Sequence, residues 1–249
     1  MTKSKWLWSA GAVVAATVGM VALAQTPQGE ASDVEDLERR LKSTPVQPMM
    51  AAIKQNYPDD YRKIMSDLND KMNDPNVSSA QLTAYSGERI MGFYASKKPD
   101  ALNASEESLV AIGRRTAKFV DRLSKENVKA CAQFSTTGFR ADVGLTDAQL
   151  TENNHINALA FAAAKEGSKR QRDPARGKLA DADADLWGDA MAKFDFDEDL
   201  YQMMQDEAQL AKASEQELCR IGRLSWGGAV LLPKGAAARV TAYLLSDEE

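Results

Sequence analysis

The sequence predicts an all-α protein, an irregular multi-helix bundle preceded by an N-terminal hydrophobic signal peptide or anchor helix. Three observations lead there. Apolar residues recur at steps of three and four in nearly every segment beyond residue 32. Capping-box pairs stand before several apolar runs, at Ser32 with Glu35, Thr146 with Gln149 and Ser214 with Glu217. Nowhere does an alternation of apolar and polar residues run long enough to suggest a sheet. With 249 residues, 44% hydrophobic and 27% charged, the chain can bury one sizeable core.

The first 24 residues carry the targeting information. Lys3 and Lys5 precede 19 uncharged residues, 6–24, which end in Ala22-Leu23-Ala24 before Gln25. A basic start, an apolar run and a small-x-small site are the parts of a secretory signal peptide. An uncleaved anchor is the alternative, because the run approaches the roughly 20 residues that span a bilayer. Its richness in Ala and Gly favours cleavage. The expected organisation is residues 1–24 as signal peptide or anchor, 25–31 as a spacer, and 32–249 as a single helical domain. Removal of two lysines would take the net charge from −5 to −7, leaving no broad basic surface for nucleic acid.

Within the domain, Ser32 and Glu35 open a helix bearing Leu37 and Leu41, and Pro45 and Pro48 break it. Pro48 suits the first turn of the next helix. Tyr61, Ile64, Met65, Leu68 and Met72 form one helical stripe. Residues 79–98 form another helix, stopped by Pro99, and 105–126 a third, presenting Leu109, Ile112, Phe119, Val120 and Leu123. Thr146 opens a helix with Leu150, Ile156, Leu159, Ala160 and Ala163. Gly167, Pro174 and Gly177 mark a polar linker near 165–180. Two helices are expected between Asp181 and Lys212, one after Ser214 that Pro233 ends, and a short last one in VTAYLL. The total is about nine or ten.

Acidic residues crowd DADADLWGDAMAKFDFDEDL, residues 181–200. A helix-loop-helix calcium site needs Gly at position 6 and Glu at position 12. Counting from Asp181 gives Leu186 and Ala192, and counting from Asp195 gives Leu200 and Asp206, so both registers fail. The acids instead suit the positive N-terminal ends of two helices, the first burying Leu186, Trp187, Ala190, Met191 and Phe194. Eight methionines follow Ala24; Met65 and Met72 fall on a helical stripe as core filler, and the neighbours Met49-Met50 and Met203-Met204 point about 100° apart on a helix, a poor chelate for copper.

His155 is the single histidine, expected on a polar helix surface beside Thr151 and Asn154. No zinc cluster of histidines, C-x-x-C pair, G-x-S-x-G elbow, phosphate loop or dinucleotide fingerprint occurs. No catalytic, cofactor-binding or metal residue is therefore assigned. A carboxylate-dependent cell-wall or small-substrate hydrolase is the enzymatic alternative, with Glu107 as its candidate general acid. Six cations, Lys165, Lys169, Arg170, Arg172, Arg176 and Lys178, stand against Glu166 and Asp173 in the linker. Such a run is a solvated loop or a contact for an anionic partner. Export into an oxidising compartment predicts one disulfide between Cys131 and Cys219. The functional expectation is an exported, non-enzymatic binding or scaffolding protein of the bacterial envelope, periplasmic or secreted, or membrane-anchored if 6–24 persists. Its expected partner is an envelope protein or an anionic surface.

Overall fold

The computed structural model describes residues 33–136, 143–194 and 197–246. The hydrophobic segment and spacer expected at 1–31 lie outside the described residues. Among those described there are twelve α-helices and no strand: α1 Val34–Leu41, α2 Gln47–Asn56, α3 Pro58–Met72, α4 Ser79–Leu102, α5 Glu106–Glu126, α6 Val128–Thr136, α7 Asp147–Gly167, α8 Asp181–Met191, α9 Glu198–Gln205, α10 Glu207–Leu210, α11 Glu215–Leu231 and α12 Lys234–Leu245. A 3₁₀ turn, Ala192–Phe194, extends α8. Three helices, not two, lie between Asp181 and Lys212, because Asp206 accepts from the backbone N–H groups of Ala208 and Gln209 and starts a further turn.

Two helices organise the bundle. α7 takes α2, α4 and α5 against it, while α11 takes α5, α6, α8 and α12. α5 thus joins the two halves, and one continuous apolar cluster runs through both. The stripes explain the assembly. Tyr61, Ile64, Met65 and Leu68 of α3 are buried, as are Leu109, Ile112, Phe119, Val120 and Leu123 of α5. Where α6 meets α11 the backbones come so close that a Cβ on Gly222 would lie 1.7 Å from Ser135 Oγ, which only glycine permits.

Capping boxes at Thr146 with Gln149 and Ser214 with Glu217 are present. At the first helix the cap is Asp33, whose carboxylate accepts from the Asp36 N–H at 2.7 Å. The helix expected to stop at Pro99 continues through it to Leu102. Tertiary contact overrides the proline there: Ala101 is buried, and a Cβ on Gly167 would lie 1.9 Å from Asp100 O, so α7 holds the last turn of α4 in place.

Asn154, expected at the surface with His155, is buried with Asn153 and Asn157. α7 is covered on three sides, where Asn154 Nδ2 donates to the Leu150 carbonyl and Asn154 Oδ1 accepts from Asn157 Nδ2. In α8, Trp187, Ala190 and Met191 are buried, but Leu186 and Phe194 are exposed. The helix turns toward α11 so that Trp187 Nε1 donates to Ser225 O at 2.9 Å. That rotation carries Asp183, one turn earlier, into the protein.

Candidate functional site

The cationic linker is a built strap rather than a loose connector. Lys165 lies in the last turn of α7, and the chain then crosses the C-terminal end of α4 between residues 168 and 178. Buried Asn103, the residue after α4, fastens it there. Its Nδ2 donates to the carbonyls of Gly167, Arg170 and Gln171 at 3.3, 3.4 and 3.0 Å, and its Oδ1 accepts from the Asp173 N–H at 3.2 Å. At the far end Ser246 Oγ donates to Gly177 O at 3.1 Å. A loop whose backbone is bonded in this way keeps one shape.

Glu166 secures the start of the strap from below. Its carboxylate accepts from the Ser105 N–H at 3.1 Å, from Ser108 Oγ at 2.6 Å and from Ser105 Oγ at 3.2 Å. Burial opposes its charge, but these hydrogen bonds outweigh burial and hold its pKa below the usual carboxylate value. The strap's cations are therefore displayed on a fixed frame.

They differ in how they are used. Lys165 Nζ lies 5.3 Å from the centre of the Tyr57 ring, and Lys97 Nζ of α4 lies 5.0 Å from it. Arg170 pairs with Glu166 at 3.4 Å, Arg172 with Asp100 at 3.5 Å, and Arg176 with Asp173 at 3.7 Å. Arg176 is only 20% exposed, whereas Arg172 is 72% exposed. Lys169 and Lys178 are exposed. Arg176 thus holds the strap together, while Lys169, Arg170, Arg172 and Lys178 face outward. Tyr57 itself is buried among Phe93 and Phe161, and burial, with the carboxylates of Asp100 and Asp60, pushes its phenol up to about 12.

No protein-family model, curated protein or solved structure matches this chain. Its chemistry is read from its own residues.

The acidic stretch serves the helices. Asp197 caps α9, accepting from the Leu200 N–H at 2.9 Å, and pairs with Arg220 at 2.9 Å. Its pKa is lowered by the Leu200 N–H first and Arg220 next. Asp183 is buried and accepts two bonds from Arg239 of α12, at 2.7 and 2.8 Å. Among the described residues no group of three or more His, Cys, Asp or Glu side chains is gathered as for a metal ion.

Glu107 is exposed and paired with Lys234, whose ammonium holds its carboxyl below the ordinary value. A general acid needs the opposite shift. His155 is half-buried beside the Arg115–Glu152 pair, whose two bonds are 2.8 and 2.9 Å. Burial, then the Arg115 charge, lowers its pKa against the pull of Glu152. Cys131 and Cys219 form a disulfide with Cα atoms 5.0 Å apart, tying α6 to α11.

Sequence reasoning missed Asn103, the Asp183–Arg239 pair and the place of Lys97 beside Lys165. Asn103 reaches its partners across 64 to 70 residues of chain, and Asp183 reaches Arg239 across 56. No local pattern carries such information.

Proposed function

We propose that this chain is an exported, non-enzymatic helical binding or scaffolding protein of the bacterial envelope. One observation carries the reading: the cationic strap is bonded through its backbone to Asn103, so it presents outward charges on a rigid frame. Preorganised groups lose little freedom on binding, which is what a contact surface requires. The disulfide supports export, since such bonds persist in oxidising compartments. Glu107, the candidate general acid, is engaged with Lys234, and Asp183 and Asp197 of the acidic stretch are engaged with Arg239 and Arg220.

Affinity capture from envelope extracts under native conditions tests the reading. A stoichiometric protein or anionic envelope component retained through the strap is the expected result. Retention and cleavage of cell-wall sugar without such a component would replace it with the carboxylate-dependent hydrolase.

A further inference from the structure

We infer that the strap end of the molecule docks on an anionic phospholipid surface. The inference rests on the envelope reading above and names the partner of that same surface. Lys169, Arg170, Arg172 and Lys178 project from the strap, with Lys97 and Lys165 behind them at Tyr57. All gather at the C-terminal end of α4, because Asn103 holds residues 167–173 there and Gly177 is bonded to Ser246. The acids among them are engaged: Glu166 accepts from Ser105 and Ser108, and Asp173, half-exposed, accepts from the Ala175 N–H and pairs with Arg176. In a protein of net charge −5, a polyanionic surface repels most of the molecule and attracts this end, which fixes the orientation of approach.

Among polyanionic surfaces, the apolar run ahead of the domain favours a bilayer. Glu38 of α1 pairs with Lys54 at 2.8 Å and interacts with Tyr61. Lys54 and Tyr61 lie one turn either side of Tyr57, whose ring carries Lys97 and Lys165. The start of α1 is only four residues before Glu38, about 6 Å of helix rise. Glu38, one turn into α1, therefore lies beside the corner between α2 and α3 where Tyr57 sits. Eight residues, 25–32, separate the apolar run ending at Ala24 from Asp33, and eight residues reach at most about 28 Å. A chain that kept residues 6–24 as an anchor would stay within that reach of a bilayer, and a chain released after Ala24 would meet one through its cations alone.

The test uses the protein as its host accumulates it, mixed with phosphatidylethanolamine vesicles or with three-to-one phosphatidylethanolamine and phosphatidylglycerol vesicles. Lysine acetylation read by mass spectrometry reports contact site by site, whether or not the apolar segment inserts. Protection of Lys169 and Lys178 by the anionic vesicles alone is expected, with Lys125 and Lys212 unaffected. Lys125 lies at the other end of α5, and Lys212 precedes α11, which the disulfide ties to that end. Each of Lys169→Gln, Arg172→Gln and Lys178→Gln should weaken binding to the anionic vesicles about fivefold relative to neutral ones, since each cation near such a surface contributes about that factor. These side chains are exposed, so thermal unfolding should be unchanged. Equal protection of all four lysines, or affinity unmoved by the three substitutions, overturns the lipid assignment. Capture of an envelope protein by a chain that ignores both vesicles overturns it too, while leaving the scaffolding reading intact.

Discussion

Asp183 and Arg239 share two hydrogen bonds, yet their side chains sit in different surroundings: that of Asp183 is 4% exposed and that of Arg239 49%. Removing the arginine strands a carboxylate in the interior, at a cost of about 3 kcal/mol. Removing the aspartate leaves a guanidinium that water can reach, at a cost of about 1 kcal/mol. Urea unfolding should therefore rank Arg239→Ala as clearly more destabilising than Asp183→Ala, and the reverse order would mean that the burial is wrongly assigned. His155 makes a second prediction at this scale. Its folded pKa lies below its ordinary value of 6.5, chiefly through burial, so the unfolded chain takes up the proton first. The resulting stability is complete above about pH 6.5 and is lost as pH falls toward the folded value. Glu152 is lowered below 4.5 by its bonds from Arg115. Its contribution is present above that value and disappears as pH falls through the folded one. Because His155 is the only histidine, a decline in stability between about pH 7 and pH 5 belongs to it. His155→Gln should flatten that window and leave the lower limb in place; an unchanged profile would remove the assignment.

Among the elements, the strap is fastened over residues 167–173 chiefly by one side chain, Asn103, with Ser246 holding its far end. Asn103→Ala should cost about 1–3 kcal/mol, the range for leaving buried partners unmade. Amide exchange should accelerate in residues 168–175 while α5 and α11 keep their protection, and retained protection of the strap would show that Asn103 does not fasten it. The disulfide joins α6 to α11 across 88 residues. Closing so long a loop in the unfolded chain contributes about 4–5 kcal/mol in the entropic account. The paired substitutions Cys131→Ser and Cys219→Ser should lower the unfolding free energy by about that amount without dissolving the fold, because Gly222 still seats Ser135 one turn away. A loss below about 1 kcal/mol would mean that the reduced chain keeps the loop closed by itself. How much of this was legible in the sequence follows from the range of each interaction. Caps at Thr146 and Ser214 and the stripes of α3 and α5 act within one turn or one face, so spacing reveals them. Pro99 misleads because its helix is completed by Gly167, far along the chain. Asn154 and Asp183 mislead because polarity suggests exposure, whereas the covering helices and Arg239 make burial tolerable. The cations of the strap were visible as a run, but their division into fasteners and outward-facing groups depends on Asn103, Asp100 and Glu166.

For the whole molecule, α5 and the disulfide make one body of two half-bundles, with the strap and its exposed cations where α4 and α7 end. The proposed contact of the strap with a surface depends on what holds the domain near it. The first residues of the sequence decide that. Among the described residues no helix is long and apolar enough to cross a membrane; the run 6–24 lies outside them. Its sequence favours a signal peptide: two lysines, an Ala- and Gly-rich core and Ala22-Leu23-Ala24 at the end. The chain in the native host should therefore begin at Gln25 and carry a net charge of −7, since Lys3 and Lys5 depart with the leader. Intact-mass measurement of host-derived protein checks this directly. Full-length chain in the membrane fraction would establish an anchor instead. The two outcomes have different physical consequences at the strap. A released domain must hold an anionic surface by its cations alone and should leave it as salt rises, because interactions beyond about 8 Å are screened at physiological ionic strength. An anchored domain would stay within about 28 Å of the bilayer at any salt, the reach of residues 25–32, and its cations would then set orientation rather than attachment.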